Sequence, residues 1–132
     1  MIIYRFEYKG IGVYQSRWDN DYIGEILDNY NCSTSPNNPS PSEDSKFKPH
    51  CNKVGKDDFI FGFTSPQMLL NWFCAECVEE LIDIAGVTLN IIEINENHVF
   101  SSDKQCIFLK TAIMNKVEVN SFEEAKFHLN IK

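Results

Sequence analysis

The chain lacks the features that mark membrane and exported proteins. No apolar run approaches the roughly 18–20 residues that span a bilayer, and Met1 leads directly into a strand-like stretch without a basic-then-apolar signal segment. The five cysteines form an odd set without an export signal, so we expect reduced thiols and no disulfide framework. These absences predict a soluble cytoplasmic protein without membrane contact.

Basic residues are scarce. The chain has 12 Lys and Arg against 19 Asp and Glu, which gives a formal net charge of −7. Because non-specific affinity for nucleic acid comes mostly from cations that neutralise phosphates, direct binding to nucleic acid is not expected.

Familiar catalytic signatures are also missing. His50, His98 and His128 are scattered, and no Ser-His-Asp or HExxH arrangement is present, so a hydrolase of those types has no support. Gly10-Ile11-Gly12 follows a strand-like stretch, but no third glycine opens a helix behind it. This pattern favours a turn over a phosphate-binding loop.

The length and composition predict one globular domain over residues 1–132. A strand is expected at residues 2–8 and a helix at about residues 20–29. Residues 31–57 hold four of the five prolines and few aliphatic side chains, which predicts a long loop. That loop is either a lid, a binding loop or mobile segment, or a disordered surface insertion.

The second half of the chain alternates strand and helix patterns. Ser65 and Pro66 are suited to begin a helix after "FIFGF", and the helical pattern continues or restarts through "CAECVEELIDIAG". Strands are expected at "VTLNIIEIN", around Val99-Phe100, at "KQCIFL" and at "VEV", and a capping box predicts a closing helix at "FEEAKFHL". The order indicates an α+β fold with mixed or antiparallel sheets and two to four helices.

Cys74-x-x-Cys77 is the most conspicuous short motif. A redox pair needs a helix N-terminus, where the dipole lowers a thiol pKa, whereas the pattern places these cysteines well inside a helical stretch. A zinc site needs two more ligands, and Cys32, His50 and Cys51 do not form a second knuckle at standard spacing. We therefore expect small buried or half-buried helix side chains and assign no metal.

Three separated segments form the most informative constellation. "YRF" places Arg5 in the first strand. "FGFTSPQMLLNWF" places Thr64 and Ser65 at the end of a strand, ahead of a helix. "SSDKQCIF" places Asp103 and Gln105 at the start of a late strand. This order resembles the Arg, Ser-Thr-Ser, Glu-x-Glu arrangement of the ADP-ribosyltransferase superfamily.

The resemblance implies an ADP-ribosyltransferase-like fold and a set of site roles. In that superfamily the arginine holds the phosphates or ribose of NAD, the serine motif supports the nicotinamide pocket, and the last glutamate stabilises the oxocarbenium-like ribose. By this likeness Arg5, Thr64 and Ser65, with Tyr14 nearby, would bind NAD or ADP-ribose. Positions Asp103 and Gln105 would be catalytic.

The sequence departs from the superfamily pattern at two positions. Phe63 replaces the first hydroxyl residue, and Gln105 replaces the catalytic glutamate. An amide can bond a ribose hydroxyl, but it supplies no negative charge to a developing cation, and that electrostatic contribution is usually the largest single one. The resemblance thus predicts a degenerate scaffold that binds, and it leans against an enzyme. The structural alternative makes Arg5 an exposed strand residue, Ser65 a helix cap and Gln105 a solvent-facing residue.

The pattern "YRFE…GIGVY…FGF…NWF" is similar to small proteins encoded by bacteriophages, which implies the host cytoplasm as location. The leading hypothesis is a module that binds a host protein or a small nucleotide through the 31–57 loop and the site around Arg5, Tyr14 and Ser65. One alternative is an active ADP-ribosyltransferase or related NAD-using enzyme with a carboxylate from Asp103 or Glu93. Another is an acidic inhibitor of a host nucleic-acid-binding or defence protein, for which "CVEELID" and "FEEA" offer local acidic clusters.

Overall fold

The computed structural model describes residues 1–32, Phe47 and residues 59–132, and the structural statements below concern these residues. They form seven strands and five α-helices, with two antiparallel sheets, so the α+β prediction is confirmed. The predicted loop at about 31–57 lies outside the described residues except at Asn31, Cys32 and Phe47, as do His50 and Cys51.

The first sheet has four strands in the spatial order β2-β1-β4-β7, and each neighbouring pair is antiparallel. Arg5 in β1 lies opposite Asn90 in β4. A tight turn with positive φ at Lys9 and Gly10 joins the first two strands, as the glycine pattern predicts. The strands are β1 (Ile2–Tyr8), β2 (Ile11–Gly12), β4 (Thr88–Ile94) and β7 (Ile113–Val119).

The second sheet has three strands in the order β3-β6-β5. Phe61 of β3 lies opposite Ile107 of β6, which in turn lies opposite Phe100 of β5. Two short 3-10 turns, Glu96–His98 and Lys110–Ala112, flank β5 and β6 along the chain. The strands are β3 (Phe59–Gly62), β5 (Val99–Ser101) and β6 (Cys106–Leu109).

The two sheets meet where β3 ends. Tyr4 of β1 and Phe63 exchange backbone hydrogen bonds of 2.8 and 2.9 Å. Gly62 permits this approach, because a Cβ there would lie 2.6 Å from Ile3 Cγ2 and 2.9 Å from the Tyr4 carbonyl oxygen. The joint therefore places Thr64 and Ser65 beside the strand that carries Arg5.

Three of the five described helices begin at a side-chain cap. Asn20, Ser65 and Ser121 each accept a hydrogen bond from a backbone N–H in the first turn of the helix that follows. The helices are α1 (Val13–Ser16), α2 (Asp21–Asn29), α3 (Pro66–Trp72), α4 (Ala75–Asp83) and α5 (Phe122–Leu129).

Five helices exceed the predicted two to four, for two reasons. The short α1 has no side-chain cap and too few residues to show a period. The helical pattern after Pro66 breaks at Phe73, whose extended backbone (φ −119°, ψ 115°) ends α3 before Cys74 caps α4. A buried aromatic with a strand-like backbone keeps the apolar spacing, so periodicity alone does not reveal the break.

Side chains pack into two hydrophobic clusters, one on each face of the first sheet. The larger cluster lies between the sheet and the helices and includes Phe6, Leu81 and Leu89. The smaller cluster lies between the two sheets and includes Ile3 and Phe108. Both faces of β1 are therefore covered, which explains why four of its seven residues are buried, two are half-buried and only Ile2 is exposed.

Candidate functional site

Arg5, the predicted phosphate-binding residue, is buried and bonded inside the protein. Its side chain is 6% exposed, its Nε donates to Glu7 Oε2 at 2.9 Å, and its Nη1 donates to the Phe61 carbonyl at 2.7 Å. The guanidinium carbon also lies 5.5 Å from the centroid of the Phe61 ring. The alternative of an exposed strand residue is wrong, because the second sheet approaches this face of β1.

Glu7 joins Arg5 to Lys116 of β7. Lys116 Nζ makes an ion pair with Glu7 Oε1, so one carboxylate holds two cations. Burial raises the pKa of Glu7, but the hydrogen bonds and charges of Lys116 and Arg5 outweigh it and lower that pKa below its ordinary value. Burial lowers the pKa of Arg5, although the bond and charge of Glu7 oppose that shift. We call Arg5, Glu7 and Lys116 the charged triad.

Thr64 and Ser65 use their hydroxyls within the helix start. Ser65 Oγ accepts from the backbone N–H of Met68 at 3.2 Å, which confirms the predicted N-cap. Thr64 Oγ1 donates to Met68 Sδ at 3.1 Å. Both hydroxyls thus hold the first turn of α3 against the end of β3.

Asp103 and Gln105 do not share a strand face. The strand β6 begins at Cys106, so neither residue lies in it, and Asp103 is exposed whereas Gln105 is fully buried. The Gln105 carbonyl accepts from the Ser102 backbone N–H at 2.8 Å and from Ser102 Oγ at 3.2 Å. The alternative of a solvent-facing Gln105 is therefore wrong, and so is the expectation that both residues stand at the start of the strand.

A groove of about 290 Å³ joins the helix that follows Ser65 to the segment that carries Asp103. Trp72 and Met68 provide its apolar lining, and the exposed Asn71 side chain adds an amide. The lining residues described are Met68, Asn71, Trp72, Asp103 and Lys104. Of the six predicted site residues, Asp103 is the one among them.

Tyr14 lies between this groove and the end of α2. Its hydroxyl accepts from Trp72 Nε1 at 2.5 Å and donates to the Cys32 carbonyl. Burial raises the pKa of Tyr14, although the Trp72 bond opposes that shift. Tyr14 is therefore a neutral hydrogen-bonding residue that positions Trp72.

The predicted site residues adjoin one another along the backbone without forming one pocket. The joint of the two sheets brings the neighbours of Arg5, Ser65 and Gln105 together, because Tyr4 bridges Phe63 and Gly62 pairs with Cys106. Their side chains, however, enter separate environments: an ion pair, a helix cap and a buried amide. The roles assigned to them by resemblance remain predictions.

Comparison with known protein families matches residues 1–123 to the family described as Bacteriophage T4 Y00F protein. The chain belongs to this phage protein family. No curated protein and no solved structure matches it. The phage resemblance is thereby confirmed, while the likeness to ADP-ribosyltransferases has no supporting neighbour. Among the described helices of this phage protein, none has both the length and the apolar character that crossing a membrane requires.

The acidic clusters "CVEELID" and "FEEA" belong to a larger acidic surface on the helices of this phage protein, to which α2 also contributes, and the sequence did not reveal that extension. The α2, α4 and α5 helices pack side by side: Asn20 Nδ2 donates to the Ala85 carbonyl at 3.0 Å, and the Phe122 N–H donates to Asp83 Oδ1 at 3.2 Å. Lys126 is the single lysine or arginine in the three helices. The exposed carboxylates on them are Asp21, Glu25, Asp28, Glu76, Glu79, Asp83, Glu123 and Glu124. We call this surface the helical face.

Exposed apolar side chains lie at the junction of α2 and α4. Trp18 is 83% exposed, Tyr22 is 60% exposed and Ile84 is 56% exposed. Trp18 and Tyr22 flank Asn20 in the chain, and Ile84 precedes Ala85, the residue that accepts the Asn20 hydrogen bond. The three exposed residues therefore neighbour, along the chain, the two residues of one interhelical hydrogen bond. Spacing along the chain could not reveal this patch, because more than 60 residues separate its two parts.

Proposed function

We propose that this phage protein acts in the host cytoplasm by binding a host protein, with the helical face as its recognition surface. The observation that carries the proposal is the exposed Trp18, Tyr22 and Ile84 beside a surface whose charges are almost all carboxylates. The partner that fits is a protein surface with an apolar pocket and a rim of lysines and arginines.

The chemistry of this surface suits recognition between proteins. Tryptophan and tyrosine are over-represented among residues that dominate binding energies, because each buries a large rigid area and retains a polar atom. Carboxylates around them steer a basic partner and raise the association rate, an effect that salt screens. This reading also accommodates the acidic inhibitor hypothesis, since nucleic-acid-binding proteins expose basic surfaces.

The internal bonds of Arg5 and Ser65 support binding over ADP-ribose transfer. Freeing Arg5 for a phosphate would leave the Glu7 carboxylate without one of its two cations inside the protein, at a large cost in free energy. Gln105 brings no negative charge to the position that would stabilise the ribose cation. The carboxylate of Glu93 does not compensate, because Glu93 pairs with Ile2 and alternation places it on the face opposite Arg5.

For the scaffold, we retain a degenerate ADP-ribosyltransferase-like core as part of this proposal. The arrangement of three segments supports it. The strand β1, which carries Arg5, lies against the end of β3, and β3 pairs with β6, the strand after Gln105. That neighbourhood matches the order of the three motifs in the superfamily.

The experiment compares capture of host proteins by immobilised wild-type chain and by a Trp18→Ala/Tyr22→Ala variant. The matched control is Met114→Ala, which removes an apolar side chain as exposed as Tyr22 from β7 at the edge of the first sheet. We expect one basic partner to be retained by the wild type and by the control, released by added salt, and lost from the double variant. Identical capture by all three proteins, or capture insensitive to salt, contradicts the proposal.

A second candidate function is nucleotide binding in the groove, which the Trp72 ring and the Asp103 carboxylate favour. Ligand pockets usually enclose about 300–1,000 Å³, so a groove of about 290 Å³ suits a nucleoside-sized group better than a whole NAD molecule. We would measure thermal unfolding with millimolar NAD, ADP-ribose and simpler nucleotides, for the wild type and for Asp103→Asn. Ligand at 100 times its dissociation constant adds about 2.7 kcal/mol. A shift that Asp103→Asn abolishes supports the groove, and no shift with any nucleotide rules this candidate out.

A further inference from the structure

Two cysteines distant in the chain lie together beneath the end of α2. The Sγ atoms of Cys32 and Cys77 are 3.5 Å apart, and the two residues are 2% and 0% exposed. Cys77 lies in the first turn of α4, a nine-residue helix whose N-cap position is Cys74. The break at Phe73 therefore moves the Cys74-x-x-Cys77 motif from the expected helix interior to a helix N-terminus. The structural objection to redox chemistry at this motif no longer holds.

The surroundings of the two sulfurs shift their thiol pKa values in opposite directions. The hydrogen bond with Cys77 lowers the pKa of the Cys32 thiol; burial opposes this, and the Cys74 backbone N–H adds to it. The same Cys32 bond, together with burial, raises the pKa of Cys77. These opposite directions make Cys32 the better candidate for the attacking thiolate and Cys77 the candidate for the resolving thiol.

The backbone of Cys32 is held by two hydrogen bonds. The Cys32 N–H donates to the Leu27 carbonyl at 2.9 Å, and its carbonyl accepts from Tyr14. On the same two helices, the Tyr30 hydroxyl donates to Glu80. The two sulfurs lie close without a covalent link: their separation of 3.5 Å exceeds the roughly 2.05 Å of a disulfide bond, so bond formation requires the side chains to move.

We propose that Cys32 and Cys77 form a reversible thiol–disulfide pair that reacts with hydroperoxides. The Cys32 thiolate attacks the terminal oxygen of the peroxide, an S–O bond forms, the O–O bond breaks, and the leaving alkoxide takes a proton to become an alcohol, or water from hydrogen peroxide. Cys77 then loses its proton and attacks the Cys32 sulfur; the S–S bond forms, the S–O bond breaks, and the hydroxide leaves as water. Two electrons pass from the thiols to the peroxide.

The disulfide would join the end of α2 to the first turn of α4. It is independent of the proposed host partner, because both sulfurs lie beneath the helices and not on the helical face. The test therefore requires only the purified chain.

The experiment exposes the reduced full-length protein to hydrogen peroxide, blocks remaining thiols with N-ethylmaleimide, and maps peptides by mass spectrometry. We expect a Cys32–Cys77 disulfide that dithiothreitol reverses. Cys106, fully buried in the smaller cluster with its pKa raised to about 12 by burial, is the internal control. It should react at least about tenfold more slowly than Cys32, because the thiolate is the reactive form.

Two variants separate the roles of the cysteines. Cys74→Ser should still form the disulfide, whereas Cys77→Ser should stop at a sulfenic acid on Cys32 that dimedone traps. A main product that joins Cys74 to Cys77, or either member of the pair to Cys51, overturns the proposal. So does oxidation of Cys106 at the same rate as Cys32. The wild-type peptide map decides even if a variant fails to fold.

Discussion

The charged triad shows how strongly one buried residue can depend on another. Arg5 and Glu7 are two positions apart in β1, so alternation places them on one face, and the second sheet then removes that face from water. A buried charge is tolerated when it is paired, and an uncompensated one is costly. Removing one partner of the charged triad should therefore lower the free energy of unfolding far more than removing one partner of a surface ion pair.

We predict that Arg5→Ala lowers the free energy of unfolding by about 3–5 kcal/mol, because it leaves the Glu7 carboxylate buried with a single partner. Urea denaturation measures the change. The matched control is Arg17→Ala, which breaks the partly exposed Arg17–Asp28 pair of 2.9 Å and should cost no more than about 1 kcal/mol. Equal losses in the two variants would show that burial of the triad contributes nothing special.

The lowered pKa of Glu7 predicts an acid-sensitive stability. The folded state holds the Glu7 pKa below its ordinary value of 4.5, so the stabilisation is present above that value. It is lost as pH falls through the folded pKa, where the carboxylate takes up a proton and releases its cations. We expect Glu7→Gln, measured by urea denaturation from about pH 6 to about pH 3, to lose less stability than the wild type over that interval. Parallel profiles would exclude the triad as the source of the acid dependence.

At the scale of elements, the joint between the two sheets depends on one missing side chain. Gly62 has backbone and side-chain atoms of β1 closer than any Cβ tolerates, and the Tyr4 carbonyl among them belongs to the bridge that holds the sheets together. Gly24, within α2, has its nearest neighbour, the Arg17 carbonyl, at an ordinary 3.6 Å. The two glycines therefore make a matched pair.

We predict opposite effects from the same substitution at these two glycines. Gly62→Ala should lower the free energy of unfolding by about 1–3 kcal/mol through overpacking. Gly24→Ala should raise it by about 0.5–1 kcal/mol, because alanine is the better helix former. Thermal and urea unfolding measure both. A neutral Gly62→Ala would mean that the two sheets can separate at little cost.

The break between α3 and α4 at Phe73 shows that apolar periodicity does not always reveal where a helix ends. Leu69, Trp72, Phe73 and Cys77 are all buried, so the apolar spacing runs on across the break. No glycine or proline marks it. The extended backbone is stabilised by the packing of the Phe73 ring against Phe6 and Phe63, contacts that exist only in the assembled fold.

For the whole molecule, charge segregation has a thermodynamic consequence. The exposed carboxylates of the helical face repel one another at low salt, when the screening length is about 30 Å, and much less at about 0.15 M, when it is about 8 Å. This repulsion opposes the compact state.

We predict that the midpoint of thermal unfolding rises as sodium chloride is raised from about 0.01 M to about 0.15 M. A Glu25→Gln/Glu79→Gln/Glu124→Gln variant should start from a higher midpoint and respond less to salt, because it removes an exposed charge from each of the three helices. The matched control is Glu96→Gln, an exposed acid in the 3-10 turn before β5. A triple variant with an unchanged salt response would contradict a concentrated acidic face.

The sequence predicts the features of the candidate site that depend on adjacent residues, and it does not predict those that depend on packing between distant segments. Ser65 as a helix cap is a local property, so the pattern Ser-Pro before an apolar face predicts it correctly. The environments of Arg5 and Gln105 depend on which strand lies against them, and nothing in the neighbouring residues states that. For the helical face, the sequence shows the separate acidic clusters "CVEELID" and "FEEA" but not their common surface with α2, since acids dispersed along the chain become one surface only when three helices pack together.

The sequence by itself determined the α+β class, most strands, three capped helix starts and membership of a phage family, because caps and alternation act through adjacent residues. Tertiary structure decided what each polar side chain does. It placed Arg5 in a buried ion pair, moved the Cys74-x-x-Cys77 motif to a helix N-terminus, and brought Cys32 to Cys77 across 45 positions. Burial and proximity between distant segments arise only from packing, and those two quantities set the charge state and the reactivity of a side chain.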